Sequence, residues 1–152
     1  MLVGLIADTH GLLRDEVAEA FDGVECILHA GDVGSRDVLD GLERLAPVTA
    51  VRGNVDVGLD LPAMARLELA GVRVVVVHGD RLGSRTPEKV AEAHPGADLV
   101  VFGHSHRPLV RHVGSVLVVN PGSAGRGRFR DPVSVARAEL HDGQATVTLV
   151  PL

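Results

Sequence analysis

Five short apolar runs in this chain each end in a compact group of polar residues, and no other feature constrains its fold and chemistry as much. The groups are Asp8-Thr9-His10, Gly31-Asp32, Gly53-Asn54, His78-Gly79 and Gly103-His104-Ser105-His106. Short runs of Val, Leu, Ile and Ala bounded by turn residues read as buried strands. In α/β sheets, ligands bind at the mouth formed by the carboxyl ends of the strands. Where such strands share a sheet edge or neighbouring edges, their polar ends converge on one site.

The first half alternates strand and helix patterns. Residues 2–7 read as a strand, and Leu13, Val17, Ala20 and Phe21 recur at helical spacing with Arg14, Asp15, Glu16 and Glu19 on the other face. Residues 24–29 form a second strand pattern. Ser35 is placed to cap a helix whose apolar face is Val38, Leu39, Leu42 and Leu45. A third strand, 47–51, leads into Gly53-Asn54. Ala70-Gly71 predicts a hairpin between 66–69 and 72–77, and Thr86-Pro87 starts a helix that His94-Pro95-Gly96 ends. From there the chain is strand-rich, at 99–102, 109–113, 116–119, 133–140 and 145–150, with Asp142-Gly143 as a tight turn. No repeat or linker interrupts the pattern. Residues 1–152 therefore read as one α/β domain with mixed sheets, since hairpin-joined strands cannot all be parallel.

Composition narrows the functional classes. With 45% hydrophobic and 23% charged residues, the chain reads as an ordinary soluble globular protein. Three Phe and no Tyr or Trp leave an aliphatic core and remove the stacking platforms that hold single strands. The net charge of −5 argues further against a nucleic-acid surface. The single cysteine, Cys26, sits in an apolar run, reads as a buried, inert thiol, and points to a reducing, cytoplasmic compartment. The apolar run after Met1 is too short for a signal peptide or a membrane span.

The residue types at the strand ends decide what the site holds. Four imidazoles, two carboxylates and an amide oxygen (Asp8, His10, Asp32, Asn54, His78, His104 and His106) exceed the needs of one small organic ligand. They suit divalent ions of borderline hardness, such as manganese, iron, zinc, nickel or cobalt. A lone Gly-Asp or Gly-Asn is commonly a turn. Gly-His-Ser-His is more telling, because alternate residues of an extended segment face one way.

In their order, "DTH", "GD", "GNVD", "HGD" and "GHSH" resemble the calcineurin-like metallophosphoesterases, and within them the small bacterial and archaeal phosphodiesterases of the YfcE type. The likeness runs from Met1 to about Ser123, taking in "VRGNVD" and "VNPGS". It implies a sandwich of two mixed β-sheets flanked by helices. It also implies two divalent metal ions, manganese first among them, one held by Asp8, His10, Asp32 and His106 and the other by Asp32, Asn54, His78 and His104, with Asp32 as the bridge. Two metals about 4 Å apart supply hydroxide near neutral pH and neutralise charge developing on phosphate oxygens. Asp32 and Asn54 would thus serve catalysis through the metals, acting on a small phosphate-ester substrate. Resemblance to this family also implies a homo-dimer or homo-tetramer. A retromer subunit that resembles the family implies the alternative, a non-catalytic interaction scaffold.

Where many relatives carry His after Gly-Asn as a leaving-group acid, this chain has Val55. The acid is then unassigned, and good leaving groups are expected to be cleaved far better than alkoxides. Asp56 is the nearest titratable residue, with a turn carboxylate as its competing role. His29 reads as support behind Asp32 or as a buried hydrogen-bonded residue. Arg52 and Arg107 adjoin the ligand segments and are candidates for holding phosphate. Arg126, Arg128 and Arg130 alternate as a basic stripe or an exposed strand face, and His94, His112 and His141 receive no role.

Overall fold

The computed structural model describes residues 1–126 and 132–152. Strands β1 (Leu2–Ile6), β2 (Cys26–His29) and β3 (Val48–Ala50) alternate with helices α1 (Glu16–Ala20) and α2 (Arg36–Glu43). Strands β4 (Met64–Leu69) and β5 (Val72–Val77), helix α3 (Pro87–Ala93) and strand β6 (Leu99–Val101) follow. The remainder is β7 (Leu109–Val113), β8 (Val116–Asn120), β9 (Ser134–His141) and β10 (Gln144–Pro151).

Two five-stranded mixed sheets result, ordered β10-β9-β1-β2-β3 and β4-β5-β6-β8-β7. In the first, β1, β2 and β3 run parallel while β9 is antiparallel to β1. In the second, β5, β6 and β8 run parallel, with β4 and β7 as antiparallel edges. Side chains alternate across each strand. Val3, Leu5 and Leu28 therefore meet Val72, Val74, Val76, Leu99 and Val119 in the core between the sheets. The other faces are covered by helices: α1 and α2 pack on Ile6 and Ile27, and α3 packs on Val75, Val100 and Val118. This is the expected sandwich of mixed sheets flanked by helices.

The hairpin turns behave as their residues dictate. Ala70 and Gly71 have φ of 48° and 80°, and Asp142 and Gly143 have 48° and 77°, the double left-handed geometry that matches strand twist. Thr86 accepts a hydrogen bond from Lys89 N at 3.4 Å, with Pro87 in the first turn. Three readings need correction. The helix expected from Leu13 through Phe21 is regular only over Glu16–Ala20, with turn bonds at Arg14 and Asp15 before it. Ser35 has the extended backbone of a cap, but its hydroxyl makes no capping bond. Cys26 is half-buried rather than buried, and burial together with Glu25 raises its pKa, which keeps the thiol protonated. Of the arginine stripe, Arg126 is exposed, while Arg128 and Arg130 lie outside the described residues. Among the described residues, no helix is long and apolar enough to cross a membrane.

Candidate metal centre

The parallel strands β1, β2, β3, β5 and β6 all deliver their carboxyl ends to one side of the sandwich. Backbone pairing then continues past the strand ends: Asp8 N donates to Gly31 O at 3.0 Å, His10 N to Asp32 O at 2.9 Å and Gly103 N to His78 O at 3.1 Å. The polar groups at those ends are thereby tied into one cluster.

Asp8, His10 and His106 each bring a ligand-type atom within 4.8 Å of the others, and Asp32, His78 and His104 do the same. In the first group, His106 Nε2 is 3.3 Å from both His10 Nε2 and Asp8 Oδ1. In the second, Asn54 Oδ1 lies 3.1 Å from His78 Nε2 and 3.0 Å from His104 Nδ1. Asp32 stands between them, with Oδ2 3.6 Å from His10 Nε2 and Oδ1 3.3 Å from His78 Nε2. All seven residues singled out at the strand ends are brought together.

These spacings fit a metal. Ligands at ~2.0–2.1 Å from a tetrahedral ion are about 3.3 Å from one another, which is how these nitrogens and oxygens are spaced. Hydrogen bonds alone do not account for the cluster. His78 Nδ1 donates to Ala30 O at 2.9 Å, so in the neutral ring Nε2 carries a lone pair, and it points at Asn54 and Asp32. Burial raises the Asp32 pKa, but the adjacent His78 and the bond donated by the Val55 N–H outweigh it and hold the carboxyl at about 2. Burial opposes charge on His78 as well, yet Asp32 and Ala30 raise its pKa. The His104 pKa is lowered by burial, His78 and Arg85.

Backbone strain gathers here. Asp8, His10, Asp32, His104 and His106 have φ of 53°, 48°, 53°, 65° and 59°, a left-handed region that non-glycine residues rarely enter. Such conformations cost ~1–3 kcal/mol each and persist where surrounding structure over-determines them. Part of that structure is a set of residues that sequence reasoning left without roles. Asn120 donates to Gly103 O and Ser105 Oγ, both at 3.0 Å, and Ser123 donates to Asp8 O at 2.9 Å. The "NPGS" segment is thus a clamp on the first and last candidate ligand loops. An Asn closing β8 was the available signal, but its partners lie 15 and 17 residues away.

His29 supports the Asp8–His10 turn rather than Asp32. Gly31 N donates to its Nδ1 at 3.2 Å, so Nε2 donates to Thr9 Oγ1 at 2.9 Å, and the Thr9 hydroxyl donates to Val33 O at 2.9 Å. Asp56 is buried, and its carboxylate accepts from Gly53 N at 2.7 Å, Gly34 N at 2.8 Å and Val33 N at 3.1 Å. These three bonds are those of a turn carboxylate.

Two clefts meet at Asn54. One, of about 940 Å³, contains His10, Asp32, His104 and His106 together with Arg85 and Arg107. The other, of about 630 Å³, is reached past His78 and holds Arg52. The two arginines named from sequence therefore stand on different clefts, both exposed, and Arg85 joins Arg107 from a loop that carried no signal.

The family model for the calcineurin-like phosphoesterase superfamily domain matches residues 1–143. The chain belongs to this superfamily. It is 38% identical to a probable metallophosphoesterase of Methanothermobacter thermautotrophicus, over 87% of this chain and 82% of that protein. It is 31% identical to the phosphodiesterase YfcE of Escherichia coli K12, over 84% of this chain and 82% of YfcE. Its fold matches that of Entamoeba histolytica Vps29 solved with zinc, with a TM-score of 0.81 at 23% identity, covering 99% of both chains.

Proposed function

We propose that this protein is a phosphoesterase, and specifically a phosphodiesterase, that works with two divalent metal ions. The observation that carries the proposal is the pair of ligand groups sharing Asp32, which presents one carboxylate oxygen to each. Asp8, His10, Asp32 and His106 would hold one ion and Asp32, Asn54, His78 and His104 the other. Bound there, the ions would supply Lewis acidity and a hydroxide nucleophile near neutral pH.

The chain's own residues set the rest. Asn54 contributes oxygen without negative charge, keeping the site attractive to an anionic substrate. Arg85 and Arg107 face the same cleft and suit phosphate oxygens. Neither they, nor Arg52 and Arg81 at the other cleft, has an ion-pair partner among the described residues. Val55, 44% exposed beside Asn54, offers no proton, so the leaving oxygen takes its proton from solvent. Manganese is the first metal to try, and a cytoplasmic setting fits the single cysteine.

Hydrolysis of bis(p-nitrophenyl) phosphate with manganese, nickel, cobalt or zinc tests the reading. Two ions per chain are expected, and Asp32→Ala or His78→Ala should lower kcat by ~10³-fold or more. Inactivity with every metal would count against it. The likeness to Vps29 supports a second reading, an interaction scaffold, but seven competent ligand side chains favour the enzyme.

A further inference from the structure

The smaller cleft lies beyond His78 and Asn54, over the β4 edge of the second sheet. Ala63, Met64, Val77 and Leu82 line it, with Met64 and Val77 side by side across the β4–β5 pair and Val57 beside them, and Arg52, Asp80 and Arg81 supply charged groups. Its surface is more apolar than polar, whereas the metal-side cleft divides about evenly. Two of its apolar side chains are unusually open to solvent: Val57 is 93% exposed and Met64 41%. His94 lines it beside His78, is 7% exposed, and its Nε2 has no hydrogen-bond partner among the described residues.

The walls are held in place by their own bonds. Arg52 N donates to Pro62 O at 2.9 Å, closing the 52–62 loop at its base, and Asp56 anchors the same loop to the segment after β2 through Val33 N and Gly34 N. Leu82 N donates to Gly79 O at 3.2 Å on the facing loop. An apolar concavity built on such loops, opening at two candidate metal ligands, has the form of a pocket for part of a ligand.

We infer that this cleft seats the substituent a phosphodiester keeps after cleavage, and that the substituent is an apolar ring of aryl or nucleobase size. The inference rests on the phosphoesterase reading above. Hydrolysis breaks one P–O bond; phosphorus gains the oxygen of water, and the departing oxygen gains a proton. Charge develops on the departing oxygen, and the polar cleft with Arg85 and Arg107 is the side that stabilises it. Arg52 and Arg81 line the smaller cleft too, but its apolar wall of Ala63, Met64, Val77 and Leu82 offers a departing oxygen no hydrogen-bond donor. The group retained on phosphorus carries no new charge, and burying its apolar surface there aids binding.

The test compares phenyl p-nitrophenyl phosphate with methyl p-nitrophenyl phosphate on the manganese-loaded protein. Both release nitrophenolate, so only the retained group differs. The phenyl ester should have a kcat/KM about tenfold higher or more, the scale expected when an apolar group fills a pocket. Ala63→Trp, which places an indole in the cleft from an exposed position, should bring the ratio to within about twofold. Met64→Trp is the second variant, should the first not fold, and circular dichroism checks both. A wild-type ratio near one, or a ratio unchanged in the folded variants, overturns the inference while leaving the phosphoesterase reading intact. No turnover of either ester with any divalent metal overturns that reading, and this one with it.

Discussion

A methyl group at residue 53 would collide with Asp32 Oδ1 and its backbone nitrogen, so Gly53 is required for space rather than for an unusual φ. Gly53→Ala is therefore expected to push the Asp32 carboxylate aside and weaken manganese binding by ~10–100-fold in calorimetric titration, as loss of ligand support does elsewhere. Wild-type affinity would show that Asp32 has room to move. His29 gives a second prediction. Burial outweighs the nearby carboxylates and lowers its pKa to about 4, against an ordinary value of 6.5. Below pH 6.5 the unfolded chain takes up a proton that the folded chain refuses, so stability is full above that pH and falls as pH drops towards 4. The loss is on the order of 3 kcal/mol for this one group. His29→Gln should flatten the decline in Tm over that window, and a decline parallel to the wild type would sink the assignment.

Between elements, the loop after β3 shows why one role could not be read in advance. Asp56 lies two residues beyond a candidate ligand, and sequence proximity alone allowed both a proton donor and a turn carboxylate. Two of the donors to its carboxylate, Val33 N and Gly34 N, belong to the loop after β2, 23 and 22 residues away. Asp56→Asn keeps the shape but turns an N–H group toward backbone donors. The expected cost is ~2–3 kcal/mol in denaturant unfolding, with the pH–rate profile keeping its limbs. A lost or shifted acid limb without a stability change would restore the proton-donor role. The hairpins were legible for the opposite reason. Ala70-Gly71 and Asp142-Gly143 take left-handed conformations set by neighbours in the chain, so no distant partner is needed. Helix α1 fell short of its periodicity because Leu13 packs as an apolar side chain without needing a helical backbone.

For the molecule as a whole, the two sheets share one core and both contribute candidate ligands: Asp8, His10, Asp32 and Asn54 follow strands of the first, and His78, His104 and His106 strands of the second. Metal binding should therefore tie the sheets together. Manganese at ~100 times its Kd should add about 2.7 kcal/mol to stability, visible as a rise in Tm that a chelator reverses. An unchanged Tm at saturation would show that the ligands are not joined by the ion. The donor set, the strands that carry it and the mixing of parallel with antiparallel strands could be read along the chain, because hydrophobic period and residue chemistry are local properties, whereas the two-sheet sandwich was implied only by the family resemblance. Which oxygen of Asp32 faces which imidazole, and that Asn120 clamps Gly103, emerged only with the packed fold. So did the service of Asp56 to a turn and the apolar cleft that opens beside the ligands. Those outcomes depend on contacts between segments far apart in the chain, which strand pairing and core packing bring together and no local pattern records.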